Sequence, residues 1–192
     1  MKQYKIVIFL MVVASICTLL LSTANYAYEK ASDIFNVRLY KTILDLFEIP
    51  AQEEQIRSIF NDNFEIKKIG NTLYYISKTV DSGTILFKTE GPGLWSVIEI
   101  LLAVDPSFET LYGLRVLAQA ETPSLGGRIA EVEFQERFRG VEIRPELRIV
   151  KFASAVNEVD AVTGASKTSE ALEKIINSSI KDLDRDFGRE GS

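Results

Sequence analysis

The chain has 192 residues, of which 46% are hydrophobic and 26% charged, and its formal net charge is −5. This length accommodates one domain of ordinary size together with an anchor. The acidic balance and the lack of a basic run argue against a nucleic-acid partner. Histidine is absent and Cys17 is the single cysteine, which excludes a histidine base, an intrachain disulfide and a zinc or iron–sulfur site. We expect no metal and no catalytic side chain, so redox chemistry would need a cofactor.

An uncharged apolar segment, residues 6–24, lies near the N-terminus. As a helix rising about 1.5 Å per residue, it would span roughly the 30 Å hydrocarbon core. Lys2 and Lys5 precede it and Glu29 follows it, which predicts a cytoplasmic N-terminus and a domain on the periplasmic or extracellular side. A cleaved signal peptide is the alternative. The run exceeds the usual hydrophobic region of a signal peptide, which favours a single-pass anchor in the cytoplasmic membrane.

The next segment has helical periodicity. Apolar residues at three- and four-residue steps predict an amphipathic helix over 28–49, after at most a short break from the anchor. Pro50 would end this helix, and a second short helix is predicted over 52–60. We therefore expect a helical connector over 25–64.

Strand patterns follow the connector. The segments 73–78 and 84–88 flank an Asp-Ser-Gly turn and predict a β-hairpin. Further elements are predicted in chain order: strands over 97–104 and 110–118, a helix over 129–139, a strand over 147–153 and a closing helix over 169–186. Grouped strands with helices at either end predict an α+β fold with an antiparallel sheet flanked by helices. The predicted organisation is a cytoplasmic tip over 1–5, a transmembrane anchor over 6–24, the connector over 25–64 and one exported domain over 65–192.

Two loop segments are candidates for a binding site. The first is G-P-G-L-W-S at 91–96, which holds the only tryptophan and is either a turn before a strand or a wall beside a flat cofactor. The second is Q-A-E-T-P-S-L-G-G-R at 119–128, where paired glycines bring bare backbone N–H groups within reach of a ligand. An ordinary turn is the alternative for the second segment.

A third candidate, D-A-V-T-G-A-S-K-T-S at 160–169, precedes the closing helix. Taken alone, its hydroxyl residues are typical of a helix N-cap. The same geometry suits a phosphate, because free N–H groups and the helix dipole favour negative charge there. Lys167 would offset more of that charge, and a hydroxyl could carry the phosphate of flavin mononucleotide (FMN) as an ester. The spacing is not that of a Walker loop.

In this order, behind one apolar N-terminal segment, the three motifs resemble the FMN-binding domain family. That family includes the C subunit of Na⁺-translocating NADH:quinone reductase and the G subunit of the Rnf complex. The resemblance implies FMN held by a phosphoester on Ser166, installed by a separate flavin transferase. Thr168 is the alternative acceptor, and non-covalent binding is a further alternative.

The resemblance also implies roles for other residues. The segment that the transferase recognises would comprise Asp160, Thr163, Gly164 and Ala165. The loop against the isoalloxazine would comprise Glu121, Thr122, Leu125 and Gly126, with Leu94 and Trp95 nearby. The chain departs from the family pattern at three positions: Ser166 replaces the commoner threonine, Ser124 replaces the first glycine of P-G-L-G, and Gln119 stands where relatives often have histidine.

The implied function is electron transfer by a membrane-anchored flavoprotein. Such a chain would belong to an ion-translocating oxidoreductase complex of the Na⁺-NADH:quinone reductase or Rnf type. Its partners would be other membrane subunits, and alone it would not be a complete enzyme. Two alternatives stay open: a stand-alone exported flavoprotein carrier, and an accessory or assembly protein without flavin.

Overall fold

The structure is a computed structural model that describes residues 3–188. Met1 and Lys2 of the predicted cytoplasmic tip lie outside the described residues, as do the last four residues of the predicted exported domain. The chain divides into two compact units, Met1–Arg57 and Ser58–Ser192.

The first unit is dominated by one helix, α1, which spans Gln3–Leu46 without a break. No proline or glycine occurs within it, so nothing in the sequence interrupts the backbone hydrogen bonds. The expected short break between anchor and connector is therefore absent from α1. At about 66 Å, the helix is roughly twice the thickness of a hydrocarbon core. Its apolar part, starting at Ile6, is long and apolar enough to cross a membrane. A 3₁₀ turn at Glu53–Gln55 follows.

The second unit contains a five-stranded antiparallel sheet in which each strand pairs with the next along the chain. Helix α2 (Ile56–Asn63) precedes the sheet. The strands are β1 (Phe64–Ile69), β2 (Thr72–Ser77), β3 (Ile85–Pro92), β4 (Val97–Val104) and β5 (Leu111–Ala118). Strand β4 coincides with its prediction, and it is buried on both faces. Strand β1 is not predicted from the sequence, because only half of its residues are apolar and it is exposed over most of its length.

The C-terminal half is less regular. The predicted helix over 129–139 is divided into a 3₁₀ turn at Gly126–Ala130, the short helix α3 (Val132–Gln135) and a 3₁₀ turn at Glu136–Phe138. The backbone at Glu131 is extended, which separates the first two pieces. Strands β6 (Arg148–Val150) and β7 (Glu158–Asp160) form a small parallel pair. Helix α4 (Ser166–Asp186) begins three residues before its predicted start. These details leave the α+β class confirmed.

Helix α4 is fixed along its length and contacts both β3 and β6. Its buried apolar side chains join the main core. Near its C-terminus, Arg144 donates two hydrogen bonds to the Asp184 carboxylate, at 2.7 and 2.6 Å, and the Tyr74 hydroxyl donates to Asp186 at 2.6 Å. Paired guanidinium–carboxylate hydrogen bonds combine strength with fixed geometry. These hydrogen bonds fix the C-terminal end of α4.

The close approach of α4 to β3 yields a stability prediction. A Cβ added at Gly91 would lie 2.6 Å from Cγ1 of Ile175. Gly91→Ala is expected to lower the free energy of unfolding by about 1–3 kcal/mol through overpacking. Ile175→Ala alone should cost about 2–5 kcal/mol through the cavity it leaves. In urea unfolding, the double variant should lose less free energy of unfolding than the two single variants lose together. Strictly additive losses would contradict the contact.

Candidate functional site

The three motifs meet at one end of the five-stranded sheet. Residues 93–96 form the turn between β3 and β4, closed by a 2.7 Å hydrogen bond from the Gly93 N–H to the Ser96 carbonyl. Because β5 runs antiparallel to β4, its last residue Ala118 lies opposite Glu99. The second motif therefore begins beside the turn that holds the first.

Glu121 joins all three motifs through one buried carboxylate, with only 5% of the residue exposed. Its Oε1 accepts hydrogen bonds from the backbone N–H of Trp95 at 3.0 Å and of Ser96 at 3.3 Å. Its Oε2 accepts one from the Thr168 hydroxyl at 2.8 Å. The loop after β5 is thus tied to the β3–β4 turn and to the first turn of α4.

Two glycines make room for this carboxylate. A Cβ at Gly93 would lie 2.5 Å from Oε1 of Glu121. A Cβ at Gly126 would lie 2.5 Å from the Thr168 hydroxyl oxygen and 3.0 Å from Cβ of Glu121. Any side chain at either position would displace the network, so both glycines are required by packing.

The network keeps Glu121 ionised. Burial by itself would raise the pKa of this carboxyl. Hydrogen bonds from the backbone of Trp95, the Thr168 side chain and the backbone of Ser96 and Leu94 outweigh burial, so the pKa is held below its ordinary value. A buried carboxylate with this many donors is a structural anchor at neutral pH.

Several motif side chains remain exposed on this fixed backbone. Leu94 is 50% exposed, Trp95 72% and Leu125 44%, and Thr122 is also exposed. Leu125 reaches the third motif: its Cδ2 lies 3.2 Å from where a Cβ of Gly164 would be. Gly164 has φ +81°, a conformation that favours glycine. Exposed apolar side chains at the junction of three loops are typical of a ligand-binding surface.

The hydroxyls of the third motif have different environments. Thr168 is 1% exposed and donates to Glu121. Thr163 and Ser166 are exposed, and within residues 3–188 no hydrogen bond involves either hydroxyl. Ser166 is the first residue of α4, and Ala165 at the N-cap has no side chain that could cap the helix. The hydroxyls therefore do not act as N-caps, and Ser166 is the accessible member of the two acceptor candidates.

The remaining predicted residues lie around this turn. Lys167 is exposed and pairs with Glu170 at 2.9 Å. Asp160 ends β7 and accepts a hydrogen bond from the Ala153 N–H at 2.7 Å. That bond fixes the loop after β6 and does not join Asp160 to the Glu121 network.

A cavity of about 210 Å³ lies between β6 and the segment that leads into α4. Ser166 and Thr163 line it together with Lys151, which follows β6 directly. Sequence reasoning missed Lys151, because it lies in a predicted strand and outside every motif. The pairing of β6 with β7 and the hydrogen bonds of β6 to α4 bring it to the start of α4.

Comparison with known proteins agrees with this geometry. Residues 93–181 match the FMN-binding domain family. The C subunit of the Na⁺-translocating NADH-quinone reductase from Neisseria meningitidis serogroup B (strain MC58) is 35% identical over 163 residues, which is 80% of this chain and 60% of that protein. Its counterpart from Vibrio vulnificus (strain YJ016) is 27% identical over 143 residues, or 70% of this chain and 56% of that protein.

Solved structures share the fold. NqrC of Shewanella oneidensis superposes with a TM-score of 0.65 at 18% identity, covering 74% of this chain and 90% of that one. The corresponding protein from Parabacteroides distasonis gives the same TM-score and identity, covering 80% and 90%. Residues 93–181 thus form a domain of the FMN-binding domain family, which confirms the resemblance carried by the three motifs. The chain spans somewhat more than half the length of the curated relatives described above.

The Glu121 network has a pH signature. The pKa of Glu121 is lower in the folded chain than its ordinary value of 4.5, which applies when the chain is unfolded. The stability that the ionised carboxylate contributes is therefore fully present at pH values above about 4.5. It is lost as pH falls through the folded pKa. Glu121→Gln should lower the free energy of unfolding by about 2 kcal/mol at pH 7. In urea unfolding followed by Trp95 fluorescence, the gap between wild type and variant should narrow below about pH 4.5. A gap that stays constant down to pH 3 would contradict this role.

Ser124 provides a second stability prediction. It adopts φ +60°, in the left-handed region, at the position where the family pattern has glycine. Ser124→Gly should raise the free energy of unfolding by about 1 kcal/mol, because a non-glycine residue is strained there. Ser178→Gly, on the exposed side of α4, is the matched control and should lower it by about 0.5 kcal/mol. Equal effects of the two substitutions in the same urea assay would exclude strain at Ser124.

Proposed function

We propose that this chain is a membrane-anchored electron-transfer flavoprotein that carries FMN through a phosphoester on Ser166. The observation that carries the proposal is the exposed, unbonded Ser166 hydroxyl at the start of α4. The three motifs of an FMN-binding domain are assembled beside it by Glu121. The names of the relatives favour a complex of the Na⁺-translocating NADH-quinone reductase type over one of the Rnf type.

The residues at this site suit FMN. The exposed hydroxyl of Ser166 offers an ester acceptor, and the helix start, with alanine at the N-cap, leaves N–H groups for a phosphate. Leu94, Trp95 and Leu125 offer exposed apolar surface for a flat ring. FMN, when bound, supplies reversible uptake and release of electrons.

The chain's own residues would position the cofactor and leave the redox chemistry to it. Glu121, Gly126 and Thr168 hold the loops together and are buried. They would therefore act behind the binding surface, while Thr122 and Leu125 face the ring. Thr163 and Gly164 lie on an exposed turn next to the acceptor, as a segment recognised by a flavin transferase must. Asp160 and Ala165 would complete that segment.

The apolar part of α1 would hold the flavin domain at the membrane. We place the anchor at 6–24, the connector at 25–64 and the flavin domain at 65–192. The domain would lie on the periplasmic or extracellular side. Other membrane subunits would donate and accept the electrons, so this chain alone would not form a complete enzyme. Ion movement would belong to those subunits, since α1 has no charged residue within 6–24 to form an ion path.

Covalent attachment can be tested by coexpressing the full chain with a flavin transferase. Wild type should give a fluorescent band after denaturing electrophoresis and a mass increase equal to FMN minus water. Ser166→Ala should lose both signals, because it removes the acceptor oxygen. Ser166→Thr should keep them, because it preserves the hydroxyl.

Thr168 is the matched control within the same motif. Thr168→Ser retains a hydroxyl for Glu121 and should keep the adduct on residue 166, located by peptide mass spectrometry. An adduct on Thr168, or its persistence in Ser166→Ala, would overturn the assignment of the acceptor. If wild type gains no flavin under these conditions, the accessory-protein alternative is favoured.

A further inference from the structure

We propose that the cavity between β6 and the first turn of α4 is a phosphate subsite, with Lys151 as its cation. This inference rests on the proposed function, because the phosphate would be the one that FMN carries on Ser166. Neither the three motifs nor the family match assigns a role to Lys151.

The shape of the cavity supports a phosphate. Its volume is about 210 Å³, and pockets that enclose drug-sized ligands hold about 300–1,000 Å³. The cavity is therefore too small for a flavin ring with its ribityl chain and large enough for a phosphate group. Thr163 and Ser166 contribute exposed hydroxyls to its lining.

The charges around the cavity are suited to an anion. Lys151 is exposed, and its Nζ lies 5.3 Å from the centre of the Phe152 ring. Among the residues that the structure describes, Lys151 forms no salt bridge, so its charge is available to a ligand. Glu170 also lines the cavity, and its carboxylate forms a salt bridge with Lys167 at 2.9 Å. Lys167, which sequence reasoning favoured as the phosphate partner, is thus already paired.

The backbone of the strand that precedes Lys151 is held in place by hydrogen bonds. The Ile149 N–H donates to the Glu173 carboxylate at 2.6 Å, and the Asn177 side chain bonds both the N–H and the carbonyl of Leu147, at 3.0 and 2.8 Å. On the other side, the Ala161 N–H donates to the Val150 carbonyl at 2.7 Å. Helix α4 therefore fixes the strand that precedes Lys151. The side chain of Lys151 therefore starts from a backbone of fixed position beside the cavity.

The position of Ser166 on α4 agrees with this location. Residues 166 and 168 are about 200° apart around a helix, so they lie on nearly opposite faces. Thr168 faces Glu121, whereas Ser166 lines the cavity next to β6. The phosphate on Ser166 would then lie on the Lys151 side, away from the buried Glu121 carboxylate, which would repel it.

The subsite can be tested without flavin. The probe is inorganic phosphate, added to the full flavin-free chain in detergent, with chloride at equal ionic strength as the reference. Phosphate should raise the Tm of wild type and have little effect on Lys151→Met, because binding to the folded state stabilises it. Lys181→Met removes an equivalent charge from the exposed side of α4 and should respond as wild type does. Equal responses of wild type and Lys151→Met would overturn the inference.

The flavin-bound chain provides the second measurement. The rise in Tm on flavinylation should be smaller by about 2–4 °C in Lys151→Met than in wild type and in Lys181→Met. Lys151→Arg should show the same rise in Tm as wild type, because it keeps the positive charge. If wild type carries FMN and the rise in Tm is equal in wild type and in all three variants, the Lys151 subsite is wrong and the proposed function stands. If wild type acquires no FMN, the proposed function fails and the phosphate titration alone decides on the subsite.

Discussion

The arrangement of the site depends on the buried carboxylate of Glu121. Burying an ionised carboxyl costs several kcal/mol unless its oxygens are hydrogen-bonded. Here the donors come from the β3–β4 turn and from α4, two segments far from Glu121 in sequence. The three segments must assemble together, because each leaves a polar group unsatisfied if another is displaced. Gly93 and Gly126 follow from the same constraint, since a Cβ at either position would occupy the space of the network.

This arrangement separates the motif residues into two groups. Glu121, Gly126 and Thr168 are buried and hold the three segments together. Leu94, Trp95, Leu125 and Ser166 are exposed on that scaffold and remain free for a ligand. The backbone of the exposed group is held by hydrogen bonds, but its side chains carry none of them, so ligand contacts with those side chains would not compete with folding.

The sequence predicted the parts of the fold that depend on local pattern. The apolar run of β4 and the amphipathic face of α4 give strong local signals: β4 coincides with its prediction, and α4 begins three residues before its predicted start. Strand β1 is half polar and mostly exposed, and β7 has only three residues, so neither carries such a signal. The pairing of Glu121 with Thr168, 47 residues apart, and the approach of Lys151 to Ser166 depend on tertiary packing. No spacing rule in one sequence reveals contacts of that kind, and the family resemblance supplied only the order of the motifs.

The packing around the start of α4 suits the proposed role of Ser166 as acceptor. Alanine at an N-cap forgoes about 1 kcal/mol that serine, threonine or aspartate would contribute there. The helix is stabilised instead by the Thr168–Glu121 hydrogen bond in its first turn and by Arg144 and Tyr74 at its far end. A capping side chain would occupy the N–H groups that a phosphate needs. Placing the stabilising contacts on other faces of α4 keeps both the helix start and the Ser166 hydroxyl accessible, as the proposed ester would require.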